Sequence, residues 1–307
     1  MKDILAPILI AGPTASGKSA LALAIAEHVG GVIINADSMQ VYRELRILSA
    51  RPTVEVEARV PHALYGFAPA AEAYSAGRFA QDGAAAVAKA RSEGRRPIIV
   101  GGTGLYFKAL LDGLSPVPRI EPAIRAHWRG QVERRGAVEL HHELAIRDPV
   151  MAARLAPSDT QRIVRALEVL EGTGLSLAEW QKRRDPPVID EAKAVRLRLD
   201  IDRARLQTRA EARFDEMVRA GAIEEARAIG DLGLDPGLPA MRAIGLRPLL
   251  SMLKGELSLG EAVAAAKLET RQYIKRQETW LRGHMISWRC IPEKDMECNL
   301  REIFAFI

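Results

Sequence analysis

Cysteine is almost absent from this sequence. Among its 307 residues there are only two, Cys290 and Cys298, which lie eight positions apart. They form no Cys-x-x-Cys motif, and their spacing argues against a zinc site. Two cysteines also cannot build the disulfide framework of a small secreted domain. We therefore expect reduced thiols that have no functional role.

Long apolar runs are absent as well. No run approaches the roughly 18–20 residues that a membrane-spanning helix needs. The first residues also lack the order of basic, apolar and small residues that marks a secretory signal peptide. We therefore expect a soluble, cytoplasmic protein that does not interact with a membrane.

The compositional bias of fibrous or disordered proteins is missing too. The chain is 48% hydrophobic and 27% charged, with 24 glycines and 17 prolines, which is ordinary for a globular protein. Its length predicts two domains or one enlarged α/β domain.

The 44 basic and 39 acidic residues leave a net charge of +5. Such a small excess fits a polyanionic partner and an ordinary solvated surface equally well.

Strand and helix patterns alternate in the first hundred residues. Continuously apolar runs at residues 7–11, 32–35 and 97–100 are typical of strands that are buried on both faces of a parallel sheet. Alanine-rich stretches at 19–27 and 84–90 favour helices between these strands. This alternation predicts an α/β fold in which ligands bind at the carboxyl ends of the strands.

The middle of the chain has a different pattern. No buried-type strand occurs between residues 119 and 189, and a strand pattern resumes only at 195–201, after which the chain reads as helical. The helical patterns of the middle part cover residues 122–136, 137–147 and 158–172. We therefore predict a core domain built from residues 1–118 and 190–307, with an inserted all-helical domain at 119–189.

Residues 12–19 match the phosphate-binding motif G-x-x-x-x-G-K-[ST]. They are Gly12, Pro13, Thr14, Ala15, Ser16, Gly17, Lys18 and Ser19, and they stand between a predicted strand and a predicted helix. The glycines let backbone N–H groups turn toward an anion at the start of the helix. Lys18 can neutralise phosphate oxygens, and Ser19 can ligate Mg²⁺. A diphosphate or triphosphate ligand is therefore predicted, and a purely structural glycine-rich turn is the alternative.

Two missing motifs narrow the reaction. The Asn-Lys-x-Asp guanine-binding motif is absent, which argues against a GTPase. A clean apolar strand that ends in a metal-binding aspartate is also missing, since residues 199–202 are an unconvincing candidate. The absence of this aspartate argues against a motor-type ATPase. Together with the strand–helix alternation, the motif at residues 12–19 predicts a P-loop NTPase-like parallel sheet flanked by helices.

Polar residues follow two further predicted strands. Asp37 comes directly after the strand at 32–35, where its carboxylate can take a proton from a nucleophile. Thr103 follows the strand at 97–100 and offers a hydroxyl near the phosphates. The alternatives are an Asx-turn aspartate and a surface threonine in a tight turn.

The C-terminal helical region carries a basic stripe. Lys267, Arg271, Lys275 and Arg282 have offsets that place them on one side of a helix, where they could follow a nucleic-acid backbone. A solvated basic face is the alternative. The aromatic residues of the same helix, such as Tyr273 and Trp280, are more often core residues than platforms for base stacking.

Seven sequence blocks, taken in order, carry a resemblance to a known family. They are GPTASGKS, NADSMQVYR, VPHALYGF, GGTGLY, SDTQRIVRALEVLEGTG, RAIGLR and TRQYIKRQETWLRG. In every block the chain resembles the bacterial tRNA dimethylallyltransferases, also called isopentenyl-diphosphate:tRNA isopentenyltransferases. The likeness runs from about residue 8 to residue 283.

The resemblance implies a specific reaction. Members of the family transfer a dimethylallyl group from dimethylallyl diphosphate to N6 of the adenosine 3′-adjacent to the anticodon, so the phosphate loop would hold a diphosphate leaving group. Asp37 would be the general base, and Thr103 would hydrogen-bond the donor's bridging oxygen. Arg213 resembles the family's second cationic contact to the diphosphate, although Arg209 is close to it in sequence. The implied cofactor is Mg²⁺, the implied substrates are dimethylallyl diphosphate and the tRNA anticodon stem-loop, and we expect a monomer.

The resemblance also implies a set of tRNA contacts. They are Asp37, Ser38, Met39, Gln40, Thr103, Arg125, Gln161, Arg162, Ile163, Val164, Arg165, Arg242, Arg247, Lys275, Arg276 and Arg282. The target base must be single-stranded or turned out, because N6 of a stacked base is hard to reach.

One segment departs from the family pattern. After Tyr42 the family usually reads approximately RGLDIGTAKP, whereas residues 43–52 here read RELRILSARP. Glu44, Arg46 and Leu48 differ in charge or size, so the local loop shape is expected to differ from that of the family. Three alternatives to the tRNA enzyme stay open from the residues: a P-loop small-molecule kinase, a prenyltransferase that acts on free adenylate, and a nucleotide-regulated RNA-binding protein.

Overall fold

A parallel sheet forms the centre of the protein. The computed structural model describes residues 5–293 and 296–307. In this part of the chain the strands are β1 (Ile8–Ala11), β2 (Gly31–Asn35), β3 (His62–Ala63), β4 (Arg96–Gly101), β5 (Val195–Asp200) and β6 (Arg289–Pro292). They pair in the order β3-β2-β4-β1-β5-β6, and every pair is parallel. The predicted α/β fold with a parallel sheet is confirmed.

Helices separate most of the strands along the chain. They are α1 (Lys18–Val29), α2 (Val54–Arg59), α3 (Ala76–Ser92), α4 (Gly104–Leu111), α5 (Pro122–Arg147), α6 (Pro149–Ala152), α7 (Thr160–Thr173), α8 (Leu177–Trp180), α9 (Arg203–Arg219), α10 (Ala222–Asp231), α11 (Leu246–Leu253), α12 (Leu259–His284) and α13 (Met296–Phe304). Among the described residues, none of these helices is long and apolar enough to cross a membrane.

The apolar runs of the sequence become the strands that are buried on both faces. Every residue of β1, β2 and β4 is buried. Leu9 and Ile99 pack in one hydrophobic cluster, while Ile8 and Ile98 pack in another, because alternate side chains of a strand point to opposite faces. The continuous run of apolar residues is therefore explained by burial on both faces.

The expectation that the chain after residue 201 is helical is wrong at β6. Of its four residues only Ile291 is buried. β6 is nevertheless a true strand, because it pairs in parallel with β5, with Leu197 opposite Arg289. A short edge strand with one buried side chain leaves no apolar run in the sequence that could reveal it.

The chain divides into two compact units. One consists of Met1–Leu111 together with Val188–Ile307 and contains the sheet, and the other is Asp112–Pro187. The predicted insertion spanned residues 119–189. Its assignment as a tRNA-binding domain stays a prediction.

The second unit is entirely helical within the described residues, and its boundaries follow sequence signals. Trp128, Leu140 and Leu167 are buried in its own core. Gly136 interrupts α5 with φ 75°, at the boundary predicted between the patterns 122–136 and 137–147. Asp159 caps α7 by accepting a hydrogen bond from the backbone N–H of Arg162 at 3.3 Å.

Candidate active site

The phosphate loop turns sharply between β1 and α1. Gly17 precedes α1 with φ 85°, and Ala15 also has a positive φ of 62°. The Lys18 side chain folds back over the loop, where its Nζ donates a hydrogen bond to the backbone oxygen of Pro13 at 3.1 Å. The loop, the lysine and the start of a twelve-residue helix thus converge as an anion site requires.

Two cations meet at this loop. Burial lowers the pKa of Lys18 to about 8; the negative charge of Asp37 opposes this shift, and the positive charge of Arg213 adds to it. Arg213 projects from α9, and its guanidinium contacts the Thr14 hydroxyl. Burial lowers the pKa of Arg213 too, with Asp37 again opposing the shift. Two partly desolvated cations at one loop would be relieved by an anionic ligand.

The structure separates Arg213 from Arg209. Arg209 pairs with Glu293, with 2.6 Å between guanidinium nitrogen and carboxylate oxygen. Arg213, one helical turn further along α9, is the residue that reaches the phosphate loop. Of the two arginines, Arg213 is the one that hydrogen-bonds to the loop, and its role toward the diphosphate stays a prediction.

Asp37 sits in a turn that is fixed by the end of β2. The buried Asn35 accepts a hydrogen bond from the Asp37 N–H at 2.8 Å and donates through Nδ2 to the backbone oxygen of Leu64 at 3.0 Å. Asp37 Oδ1 accepts from the Met39 N–H at 2.9 Å. The Asx-turn that the sequence offered as an alternative is thus present, yet it uses only one carboxylate oxygen. Among the described residues, Oδ2 has no hydrogen-bond partner and is available to a substrate.

The Thr103 turn is bonded directly to the Asp37 turn. The Thr103 N–H donates to the backbone oxygen of Ala36 at 3.2 Å, and the Thr103 hydroxyl accepts from the Ser38 N–H at 3.0 Å. A Cβ atom on Gly101 would lie 2.0 Å from the Ala36 oxygen. Only glycine allows the ends of β2 and β4 to approach so closely, which brings the two predicted catalytic residues together.

The charge of Asp37 acts on three tyrosines. Burial raises the pKa values of Tyr65, Tyr106 and Tyr273, and the negative charge of Asp37 raises them further. The three hydroxyl groups therefore stay neutral. Tyr273 was predicted to be an ordinary core residue, but it lies next to Thr103. No local sequence signal marks it, because α12 comes from the far end of the chain.

Two family models match the sequence. The one described as IPP transferase matches residues 40–284, and the one described as isopentenyl transferase matches residues 6–60. The tRNA dimethylallyltransferase of Parvibaculum lavamentivorans is 52% identical to this chain over 300 residues, which are 98% of the chain and 95% of that protein. The chain belongs to the tRNA dimethylallyltransferase family.

Solved structures agree with this assignment. The tRNA isopentenylpyrophosphate transferase of Bacillus halodurans matches with a TM-score of 0.70 and 32% identity, over 98% of this chain and 95% of that one. A eukaryotic dimethylallyltransferase acting on tRNA matches with a TM-score of 0.80 and 26% identity, over 95% of this chain and 74% of that one. The resemblance that seven sequence blocks suggested is therefore confirmed along nearly the whole chain.

Three of the arginines that the family resemblance implies as tRNA contacts lie around one cavity. Arg242, Arg247 and Arg276 are exposed and line a cavity of about 200 Å³. Glu269 borders the same cavity, and its carboxylate accepts a hydrogen bond from the Gly245 N–H at 3.1 Å. The structure thus assembles a basic cavity from segments that are well separated in sequence.

The basic stripe on α12 is not the free cationic face that the helical offsets predicted. Lys267 pairs with Asp215 of α9 at 2.7 Å, and Arg271 approaches Glu211 of α9 at 3.6 Å. Arg282 approaches Asp200 and Glu278, each at 3.7 Å. Helical spacing placed these side chains on one side, but α9 supplies counter-charges to Lys267 and Arg271, and β5 and α12 itself supply those of Arg282. Of the four, only Lys275 has no charged partner among the described residues.

The tRNA contacts implied for the insertion need a correction at two positions. Ile163 and Val164 are buried in the core of the second unit, so their side chains cannot be reached by RNA. Gln161 and Arg162 are exposed. Arg165 is partly exposed and approaches Glu168 at 3.4 Å. Arg125 belongs to α5 of the same unit, and its buried Nε has no hydrogen-bond partner in the described part of the chain.

The departure from the family pattern at 43–52 is compensated by local contacts. Glu44 accepts a hydrogen bond from the Ala70 N–H at 2.8 Å, and Arg46 pairs with Glu57 at 3.1 Å. The segment also connects to the Asp37 turn, since Gln40 Nε2 donates to the backbone oxygens of residues 49 and 50 at 3.0 Å each. The altered charges therefore have partners within the same region.

Proposed function

We propose that this protein transfers a dimethylallyl group from dimethylallyl diphosphate to N6 of the adenosine 3′-adjacent to the anticodon of tRNA. Its membership of the tRNA dimethylallyltransferase family supports the reaction. The observation that carries the assignment of the site is the direct hydrogen bonding of the Asp37 turn to the Thr103 turn, beside the phosphate loop. The proposed base, Asp37, therefore lies close to Thr103 and the phosphate loop, where the leaving group is proposed to bind.

The diphosphate of the donor binds at the phosphate loop in this proposal. Lys18 and Arg213 neutralise its charge, and the N-terminus of α1 adds its partial positive charge. As the C–O bond breaks, negative charge grows on the leaving oxygen, where Thr103 donates a hydrogen bond. The loop thus serves to stabilise a leaving group, and no nucleotide is hydrolysed.

Asp37 accepts the proton of the nucleophile. The adenine N6 forms a bond to C1 of the dimethylallyl group, the bond from C1 to the diphosphate oxygen breaks, and diphosphate leaves with the bonding electron pair. N6 loses one proton, which passes to the available carboxylate oxygen of Asp37. The Asx-turn holds the other oxygen, so the base is oriented before the substrate arrives.

The residues present fit a bound Mg²⁺. No group of three or more His, Cys, Asp or Glu side chains that could hold a metal alone occurs in the described residues. Mg²⁺ commonly takes few protein ligands and completes its shell with phosphate oxygens and water. The exposed hydroxyl of Ser19, the second residue of α1, can supply one such ligand. When bound, the ion neutralises charge on the diphosphate.

The acceptor is proposed to be the anticodon stem-loop. Ser38, Met39 and Gln40 follow Asp37, and the exposed arginines Arg242 and Arg247 offer phosphate contacts in the same unit. Gln161, Arg162, Arg165 and Arg125 are proposed to extend this contact from the helical unit. We further propose that the enzyme acts as a monomer in the cytoplasm, where its tRNA substrate is found.

One assay tests this function against the alternatives. The protein is incubated with Mg²⁺, dimethylallyl diphosphate labelled in the prenyl group, unmodified tRNA, AMP, ATP and a metabolite mixture, and the products are identified by mass spectrometry. We expect label at N6 of the adenosine beside the anticodon. Label on free adenylate but not on tRNA would indicate the adenylate prenyltransferase. ATP-dependent phosphorylation of a metabolite would indicate the kinase, and tRNA binding without any turnover would indicate a binding protein.

A further inference from the structure

The side chain of Gln277 is buried between the two loops that form the candidate active site. It is 5% exposed. Its Oε1 accepts a hydrogen bond from the backbone N–H of Thr14 in the phosphate loop at 2.9 Å. Its Nε2 donates to the backbone oxygen of Gly102, beside Thr103, at 3.1 Å. One amide therefore joins the loop after β1 to the turn after β4.

The fit between α12 and these loops is tight. A Cβ atom on Gly102 would lie 2.2 Å from the Gln277 Nε2 atom, and a Cβ atom on Gly104 would lie 2.0 Å from the Trp280 ring. The Tyr273 hydroxyl, one helical turn before Gln277, lies next to both Gln277 and Thr103. Tyr273, Gln277 and Trp280 of α12 thus all pack against the Thr103 turn. Of these three side chains, only Gln277 also contacts the phosphate loop.

An amide is the side chain that this position requires. The Thr14 N–H needs an acceptor and the Gly102 oxygen needs a donor, and a glutamine supplies one of each. A buried polar group that lost either partner would be destabilising. An ionised carboxylate would set a negative oxygen against the Gly102 oxygen and beside the diphosphate.

We propose that Gln277 is a positioning residue that holds the phosphate loop and the Thr103 turn at the separation needed for transfer. It acts through these two loops and does not touch the reacting atoms. The inference rests on the proposed function, because the two loops carry the leaving group and its hydrogen-bond donor. Displacement of one loop relative to the other by a fraction of an ångström to 1 Å is expected to slow transfer by roughly tenfold to a hundredfold.

Two variants of Gln277 distinguish positioning from simple packing. Gln277→Leu removes both hydrogen bonds at every pH. Gln277→Glu lacks the donor while the new carboxyl is ionised, but regains it when that carboxyl is protonated, which burial favours. Lowering the pH should therefore restore the glutamate variant and leave the leucine variant unchanged. The matched control is Gln81→Leu on α3, where the glutamine is exposed and lies outside the site.

The experiment measures single-turnover transfer and the affinity for inorganic diphosphate, each as a ratio to the unsubstituted protein at the same pH. We expect Gln277→Leu to slow transfer roughly tenfold or more at all pH values and to weaken binding of inorganic diphosphate by several-fold. We expect Gln277→Glu to be equally slow at about pH 8 and to recover most of the loss near pH 5.5. Gln81→Leu should match the unsubstituted protein.

Either of two results would overturn the proposal. One is transfer by Gln277→Leu within about twofold of the unsubstituted protein, and the other is a ratio for Gln277→Glu that does not rise as the pH falls. Circular dichroism of each variant excludes global unfolding as the cause of a loss. If the unsubstituted protein transfers no prenyl group, the proposed function fails. In that case the diphosphate affinities test Gln277 alone, and equal affinities of Gln277→Leu and the unsubstituted protein would overturn its role in positioning the loop.

Discussion

At the scale of single residues, the site depends on which of several similar side chains reaches the phosphate loop. Arg209 and Arg213 lie one turn apart on α9, yet one pairs with Glu293 and the other contacts Thr14. Sequence spacing alone could not separate them, because both positions offer a guanidinium from the same helix. Their different partners lead to different expected roles.

Substitution of these two arginines should have unequal effects. Arg213→Gln removes a partly buried cation beside the proposed diphosphate site and is expected to raise the KM for dimethylallyl diphosphate roughly tenfold or more. Arg209→Gln breaks only a half-exposed ion pair and should change that KM by less than about twofold. Steady-state kinetics with varied donor and saturating tRNA measures both. Equal losses in the two variants would contradict the placement of Arg213.

The lowered pKa of Lys18 predicts a pH dependence of anion binding. Because burial brings this pKa to about 8, the ammonium is charged below that pH and loses its charge above it. The unsubstituted protein should therefore lose its advantage over Lys18→Met in binding inorganic diphosphate as the pH rises from about 7 to about 9.5. Titration calorimetry on both proteins gives the ratio of affinities. A ratio that stays constant over this range would contradict the assignment.

At the scale of helices and strands, the sequence predicts the strands whose residues are all apolar and buried. It misses a strand that is recognisable only by its pairing with a strand distant in sequence. The strands β1, β2 and β4 were predicted within about two residues, because their apolar runs are long enough to be recognised. The strand β6 was missed, since only Ile291 is buried in it. Gly136 marks the break in α5 at the predicted place.

The residues of the candidate site were likewise predicted where a local pattern marks them and missed where they meet a partner distant in sequence. Asp37 and Thr103 were predicted because each follows a recognisable strand, and the parallel sheet brings the ends of those strands together. Gln277 lies 263 residues from Thr14, its hydrogen-bond partner, so no local pattern could assign it. The prediction of a free cationic face on α12 failed for the same reason. Helical periodicity shows which side chains share a face of the helix, but it does not show which element packs against that face.

The segment 44–50 illustrates how one side chain can fix a loop. The Glu225 carboxylate, in the first turn of α10, accepts hydrogen bonds from the backbone N–H groups of Arg46, Ile47 and Leu48 at 2.7–2.9 Å. This segment in turn holds Gln40, three residues beyond Asp37. The carboxylate thus supports the altered segment and, through it, the Asp37 turn.

Removal of this carboxylate should loosen the segment. Glu225→Ala leaves three backbone N–H groups without their acceptor and is expected to lower the free energy of unfolding by about 1–3 kcal/mol. Glu224→Ala, at the exposed neighbouring position, is the matched control and should change it by less than about 0.5 kcal/mol. Urea denaturation measures both. Similar stabilities of the two variants would show that the carboxylate does not support the loop.

At the scale of the whole molecule, the insertion begins and ends at one place. The backbone oxygen of Leu110 accepts hydrogen bonds from the N–H groups of Val188 at 2.9 Å and Ile189 at 3.0 Å. The unit Asp112–Pro187 is thus inserted into the chain of the core unit, and it has its own buried residues around Trp128 and Leu140. Donor binding should therefore not need the second unit, whereas tRNA binding should use both units.

Replacement of the insertion tests this separation. A variant in which a short Gly-Ser linker joins residues 111 and 188 should keep its affinity for inorganic diphosphate within about threefold, because the phosphate loop, Lys18 and Arg213 are all in the core. Its affinity for the anticodon stem-loop should fall by roughly tenfold or more at moderate salt. Calorimetry and filter binding measure the two affinities. Undiminished tRNA binding by the shortened protein would contradict a role for the insertion.

The proposal that Asp37 takes the proton from adenine N6 is tested most directly by single-turnover transfer. The protein is held in excess over the anticodon stem-loop, with saturating dimethylallyl diphosphate and Mg²⁺, and is compared with Asp37→Asn. The asparagine can still accept the Met39 N–H and so preserve the turn. We expect the variant to bind the stem-loop normally and to transfer the prenyl group at least about a hundredfold more slowly. A transfer rate equal to that of the unsubstituted protein would contradict the assignment of Asp37 as the base.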